Sequence, residues 1–270
     1  MYYCDQIPLP FCYGKTRSLN PMGMECWLAQ PKDGLEKRQA TLHLTIRAGG
    51  PQNADTGVVF RGLGMKLSDW EKSQYPPGVR VYFQPKAWVD TEVMACIVDD
   101  FLDDISDVEG EVMYGMDNLG AHHNMVIKQT LYDHDVYPVF TPSQCTDVVA
   151  PVDHHVGAWM KQCMSQLYEK ELEDNIELWE DGGLSAAERR IYIVNWVASA
   201  WKCLKTKSEF LRKSFVSTGW LLAKDGSENH LVKLRKWQLP YDFPRPEAGD
   251  GLVGVSVDAV VIPICNKQRT

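Results

Sequence analysis

The stretch Glu111-Val-Met-Tyr-Gly-Met116-Asp117-Asn118-Leu-Gly-Ala-His122-His123 decides how the chain reads. Its first six residues predict a short strand that runs straight into a carboxylate. Upstream, Val93, Ile97, Phe101 and Ile105, with Met94, Val98 and Leu102 beside them, predict one apolar helix face. Asp90 or Thr91 is suited to cap that helix. Downstream, a helix over 121–133, a strand at Val136–Phe140 and a Pro-bearing loop to Pro151 follow. Helix, strand, helix and strand in succession describe an α/β domain, whose strand ends open onto a crevice.

Outward from this centre the pattern changes. Ala40–Arg47 alternates at Leu42, Leu44 and Ile46, the period of a half-buried strand. Gly49-Gly50-Pro51 closes it, Gly57–Phe60 reads as the next strand, and a further one is expected near Val79–Phe83. Ahead of them, Asp5 ends a short apolar lead-in, and Pro8 and Pro10 are expected to stop ladder pairing there. Beyond the centre, helices are expected over about 154–176, 186–204 and 208–214. The second opens with a Ser185-Ala-Ala-Glu188 capping box. Residues from 241 onward are Pro- and Gly-rich, with an apolar stretch at 252–264 to which no role is assigned. The reading is an α/β fold with a central mixed β-sheet flanked by helices and a helical C-terminal part. It divides into a domain over 1–240 and an extension over 241–270, with no internal repeat.

Composition bounds the function. The 270 residues are 44% hydrophobic and 24% charged, which excludes a disordered or collagen-like chain. No apolar run reaches the roughly 20 residues of a membrane-spanning helix, and Met1–Pro10 lacks the basic start of a signal peptide. Eight Cys without a C-x-x-C pair read as reduced thiols. The net charge of −8 speaks, on its face, against a nucleic-acid partner. The charge is uneven, however. Asp90 to Asp117 holds ten acids and no Lys or Arg, whereas Ser185 to Lys236 holds eleven bases and four acids.

Three aspartates occupy element ends: Asp5 after the lead-in, Asp117 after a strand, and Asp153 where a helix starts. Hard oxygen donors without a companion Cys suit Mg²⁺ or Mn²⁺ rather than zinc. Among 36 acids the placement alone is unspecific.

The surrounding residues are more specific. Met116-Asp117-Asn118-Leu-Gly-Ala-His122 resembles the "DN-x-x-x-H" stretch of the DDE superfamily endonucleases, the transposases of the pogo, Tigger and jerky type. Thr141-Pro142-Ser-Gln-Cys-Thr146-Asp-Val-Val-Ala-Pro151-Val-Asp153 is similar to that family's "PP-x-x-T-x-x-x-QP-x-D" run, with Lys161 where the next helix usually has a Lys. Cys4-Asp5-Gln6-Ile-Pro8-Leu-Pro-Phe11 resembles its opening strand, and 35 residues lie between Asp117 and Asp153, a separation similar to that of related elements. Order and context match over about 1–240, including Arg38-Gln-Ala-Thr41, Phe60-Arg-Gly62 and Trp88. The resemblance implies an RNase H-like fold. It also implies a DNA-cutting and strand-transfer site in which Asp5, Asp117 and Asp153 hold two Mg²⁺ or Mn²⁺ ions. DNA as partner, a homodimer on DNA and nuclear location are implied in the same way. Ala150 departs from the family's Gln, Cys4 from its Asn, and Gly120-Ala121 from its Pro-Ser. The family's N-terminal helix-turn-helix region is not in this sequence, so the expected affinity of this chain alone for DNA is weak.

Other residues carry paired readings. Asn118 is expected to orient the Asp117 loop; His122 and His123 either touch the site or satisfy a loop carbonyl. His154 and His155 are expected to shape the helix start. The acids Asp99–Asp104 read as a solvated helix face, not a second metal site. Arg189, Arg190, Lys202, Lys205, Lys207, Arg212 and Lys213 form a candidate DNA-facing set. Trp159, Trp179, Trp196, Trp201, Met94, Met113 and Met116 read as packing. Two rivals remain open: a domesticated, catalytically silent nuclear DNA-binding or chromatin protein that keeps the fold, and a two-carboxylate hydrolase such as a glycosidase.

Overall fold

The computed structural model describes residues 1–10, 38–142, 145–180 and 184–233. The extension over 241–270, Phe11 of the opening motif, and the side chain of Trp179 lie outside the described residues. Strands β1 (Tyr2–Pro10), β2 (Arg38–Arg47) and β3 (Thr56–Arg61) form an antiparallel meander. After α1 (Asp69–Ser73), β4 (Val79–Gln84) pairs parallel to β3. The chain then crosses through α2 (Thr91–Asp104) to β5 (Val112–Met116), which pairs parallel to β1. It passes through α3 (Met125–Tyr132) to β6 (Val136–Phe140), parallel to β5. The sheet order β4-β3-β2-β1-β5-β6 is mixed, with β1 inside it. A meander whose first strand also begins a parallel series is the RNase H-like arrangement.

The single turn α4 (Thr146–Val149) and a π-helical turn at Val152–Val156 lead into α5 (Gly157–Glu180); α6 (Ala186–Lys205) and α7 (Ser208–Ser217) follow. Alternate residues of the sheet feed two cores. Tyr3, Ile7 and Leu9 of β1 with Leu42, Leu44 and Ile46 of β2 pack under α5 to α7. On the other face Tyr2, Cys4, Val59, Tyr114 and Met116 meet Val93, Met94, Ile97 and Phe101 of α2 and Ile127 and Leu131 of α3. Asp90 caps α2 by accepting the Val93 amide at 3.0 Å, and Ser185 and Glu188 close the capping box of α6.

Three expectations change here. The strand β1 continues through Pro8 and Pro10, which align with Thr41 and Arg38 of β2. The Ala48 amide donates to the Met1 carbonyl, and alternation along the antiparallel pair turns the amide position of Pro8 away from β2, while the register shifts between Leu9 and Pro10. On the far side β5 pairs only with Tyr2 and Tyr3, so Pro8 removes no ladder bond. Strand β2 is buried on both faces rather than one, because α2 lies over His43 and Thr45 and the Ala87 loop meets Thr41, all three 3% exposed or less. The helix expected over 121–133 divides into a 3₁₀ turn at Gly120–His123 and α3, split at Asn124, whose side chain caps the second piece.

Where β1 and β5 meet, the chain needs glycine. A Cβ on Gly115 would stand 2.5 Å from Cδ2 of Tyr3 and 2.9 Å from Trp220. Its absence lets the Tyr3 and Trp220 rings pack edge to face over the end of β5, 5.0 Å between centroids.

Candidate active site

Three different devices place the three aspartates. Asp5 sits inside β1, directly beside Leu44 of β2, and is 6% exposed. Asp117 is the first residue past β5, whose end is fixed from two sides. Thr141 donates its hydroxyl to the Met116 carbonyl at 2.7 Å and lies 3.2 Å from the Tyr3 hydroxyl, and the Thr141 amide bonds the same carbonyl. Asp153 lies in the π-helical turn before α5 and is exposed. The turn before it is anchored by the Trp220 indole N–H, which donates to the Val149 carbonyl at 2.7 Å.

Asp5 feels the charge of the other two. Burial pushes the Asp5 carboxyl well above the usual carboxylate range, and the charges of Asp153 and then Asp117 push it the same way. The Gln6 amide, donating to Asp5 Oδ1 at 2.7 Å, acts in the opposite sense, and among the described residues no Lys or Arg acts on it. Asp5 Oδ2 is buried with no hydrogen-bond partner among the described residues. A buried carboxylate with an idle oxygen and two like charges nearby calls for a cation.

The fit to a divalent ion is therefore one of donor chemistry and unbalanced charge. As placed, no three His, Cys, Asp or Glu among the described residues stand close enough to enclose an ion. Mutual repulsion keeps carboxylates apart, and a cation is what would draw them in.

His122 is 1% exposed, with Nδ1 2.7 Å from Asp117 Oδ1 and 3.1 Å from the Asp117 carbonyl oxygen. His123 is exposed; it makes a short contact with Asn118 Oδ1 and stacks on Phe140 at 4.3 Å between centroids. Asn118 thus closes the loop after Asp117 through His123. His154 is buried and His155 lies 3.3 Å from the Ser217 hydroxyl, so the pair packs the helix start between the sheet and α7.

The basic set divides. Arg189 is buried and donates Nε to the Leu184 carbonyl at 3.2 Å, which removes it from any DNA-facing surface. Arg190 is taken by a two-point bond to Glu71 of α1, at 2.7 and 2.9 Å. Lys205 stands 3.7 Å from Asp55 and over the Trp201 ring. Their helix packs on α1 and the sheet, and the inward side recruits these cations. Lys161, Lys202, Arg212 and Lys213 are exposed, and Lys207 lies over Trp159. Trp159 and His155 both pack on Phe210, so Lys207 sits on the flank of the turn that carries Asp153. The acidic face of α2 also divides. Asp99 and Asp103 are exposed as expected, whereas Asp100 and Asp104 bond Arg80 at 2.8 and 2.5 Å, which draws them against β4. Trp196 and Trp201 are core, as are Met94 and Met116.

Sequence reasoning missed Gln6, His43, Tyr3, Thr141 and Trp220. Gln6 and Thr141 lie inside motif stretches and could have been noticed there. His43 could not, because only the packing of α2 buries it.

No curated protein sequence matches the chain. Among solved structures it is similar to a Mos1 strand transfer complex at 14% identity and TM-score 0.42, covering 81% of this chain and 54% of that one. It is similar to a Mos1 mariner paired end complex with Mn at 14% identity and TM-score 0.43, covering 82% and 56%. To the catalytic domain of Mos1 mariner transposase the values are 13% identity and TM-score 0.34, covering 68% and 76%. The chain thus spans about half the length of the first two. No helix among the described residues is long and apolar enough to cross a membrane. The family of DDE superfamily endonucleases matches residues 37–215, a span that holds Asp117 and Asp153 and begins after Asp5. That span is well over half of the sequence, and the chain belongs to the DDE superfamily endonucleases.

Proposed function

We propose that this protein is a transposase-derived, divalent-metal-dependent DNA endonuclease and strand transferase whose site is Asp5, Asp117 and Asp153. The observation that carries the reading is the state of Asp5, which has an idle buried oxygen and a carboxyl raised by burial first and then by the charges of Asp153 and Asp117. Mg²⁺ or Mn²⁺, two ions in this reading, would supply Lewis-acid stabilisation of the attacking and leaving oxygens of a phosphodiester.

The chain's own residues do the holding. Asp5 contributes a donor fixed by the sheet, and Asp117 one fixed by the Thr141 and Tyr3 contacts at the end of β5. Asp153 contributes one on a turn open to solvent. Lys207, Lys161, Lys202, Arg212 and Lys213 are the cations of that set left to face a phosphate backbone, Lys207 on the flank of the turn that carries Asp153. DNA as substrate implies nuclear work, with two copies acting on paired ends.

The test is cleavage and strand transfer on duplex DNA with Mg²⁺ or Mn²⁺, wild type against Asp117→Ala. Metal-dependent activity in wild type and its loss in the variant support the reading. Equal, metal-insensitive activity in both overturns it.

Ala150 favours a second reading, a domesticated protein that keeps the fold and binds DNA without cutting it. The side chain at 150 is fully buried and offers no polar contact beside Asp153, where the family usually has Gln. Metal-independent DNA binding with no cleavage under any divalent ion would select it.

A further inference from the structure

Behind Asp117 lies a set of buried polar groups that the metal reading leaves unused. Asp117 offers His122 only acceptors, a carboxylate oxygen at 2.7 Å and a carbonyl at 3.1 Å. The ring proton therefore belongs on Nδ1, and Nε2 of a neutral ring is left as an acceptor. That Nε2 is buried and has no hydrogen-bond partner among the described residues.

Two other buried groups share this state. Gln6 Nε2, a donor, lacks an acceptor, and His43 Nε2 also lacks a partner. Gln6 and His43 are directly opposed across β1 and β2, so their side chains leave the same face of the sheet. His43 is also close enough to His122 for a proton on one ring to disfavour a proton on the other. Burial first, and then His122, lowers the His43 imidazole to about 3, so its ring stays neutral. A donor without an acceptor, an acceptor without a donor and a neutral imidazole thus gather on one face. That face is the α2 side of β1, opposite the face that carries Asp5.

We propose that His122 is a positioning residue for Asp117: its Nδ1 side meets the aspartate's carbonyl and carboxylate, and its unpartnered Nε2 side is turned toward the buried polar pair Gln6 and His43. The inference rests on the three-aspartate reading and adds to it the group that sets the aim of one carboxylate. A partner behind a ligating side chain fixes its orientation, and removing such a partner costs about 10–100-fold in metal affinity. Asn118 and His123 close the same loop from its solvent side, whereas His122 holds it from the core.

Asn and Gln separate the two nitrogens of the ring, since the amide of Asn overlays Nδ1 and that of Gln overlays Nε2. Mn²⁺ binding to the full chain is measured by calorimetry for wild type, His122→Asn, His122→Gln and Asp117→Asn, with melting followed for each. The expected result is binding within about threefold of wild type for His122→Asn and weaker by about tenfold or more for His122→Gln, at similar melting temperatures. Gln6→Leu should weaken binding in the same direction, by less.

Equal Mn²⁺ affinity in both His122 variants, or losses that only follow their melting temperatures, overturns the positioning role and leaves the three-aspartate reading standing. Wild type that binds no Mn²⁺, or Asp117→Asn that binds as well as wild type, overturns the three-aspartate reading and this inference with it.

Discussion

Asp55, Asp100 and Asp104 gather around Arg80, with Nη1 2.8 Å from Asp100, Nη2 2.5 Å from Asp104 and Nε 3.8 Å from Asp55. Lys205 adds a second cation near Asp55, and the Tyr82 hydroxyl donates to Asp100. Asp5, Asp117 and Asp153 make a second group of three on the same fold, and neither Arg nor Lys acts on Asp5. The first group is balanced by the chain itself, although burial and Asp104 still hold the Asp55 carboxyl above its ordinary value. In the second, burial and like charges act on Asp5 with no Lys or Arg of the described residues to offset them. A carboxylate cluster closed by its own arginine ties α2 to β4, whereas a buried carboxylate such as Asp5, with no Lys or Arg of the described residues acting on it, suits a divalent ion.

The largest test of this contrast exchanges the two groups. Asp117→Ala should reduce metal-dependent DNA cleavage by on the order of 10³-fold, the loss of several kcal/mol of charge stabilisation. Asp104→Ala should leave cleavage within about threefold and act on stability alone. A cleavage loss in Asp104→Ala similar to that in Asp117→Ala would break the contrast.

Removing the internal cation tests the balanced group. Arg80→Met leaves three carboxylates facing each other and should lower unfolding free energy by about 1–3 kcal/mol in urea, less than for a fully buried pair because Arg80 is partly exposed. Restoring neutrality with Arg80→Met and Asp104→Asn together should recover part of that loss.

The opposite sign is expected at the other group. Asp5→Asn replaces a buried charge that has no cation with a neutral isostere, and should stabilise the protein in EDTA at pH 7 by about 1 kcal/mol while abolishing metal response. Denaturation with and without Mn²⁺ checks both halves. Destabilisation in EDTA would mean that the Asp5 charge is already compensated.

His43 stands between the two groups, lining a small cavity with Asp55, Asp100 and Asp104 and coupled to His122. Its effect is the smallest at neutral pH. The folded imidazole is lowered to about 3 from an ordinary 6.5, so the unfolded chain takes up a proton that the folded chain refuses. Stability from this group is therefore complete above about pH 6.5 and falls by about 1.4 kcal/mol per pH unit as pH drops toward 3. His43→Leu should have a shallower decline over that window in pH-dependent urea unfolding. An unchanged slope would place the titration elsewhere.

Particular residues mark how far the sequence reaches. The period of Val93, Ile97 and Phe101 placed α2, and the capping box at Ser185 placed α6, because helices are set by local spacing and local hydrogen bonds. The strand before Asp117 was legible for the same reason, whereas the three aspartates stood out among the acids only through the family-like stretches around them. Pro8 and Pro10 misled, since a proline breaks a ladder only if its amide side is paired, and that depends on where β5 stops. Arg189 and Arg190 misled as well, because a charge count does not tell which side of a helix meets α1.

What the sequence alone determined was the identity of the elements, their order and the candidate carboxylates. These follow from periodicity, capping chemistry and short motifs, all of which act over a few residues. What only the tertiary structure decided was which charges are neutralised and which are not. Arg80 reaches Asp104 across 24 positions and Arg190 reaches Glu71 across 119, whereas Asp5 meets like charges from two other elements. Coulomb interactions and desolvation depend on distance and burial in the folded chain, and a linear sequence contains neither.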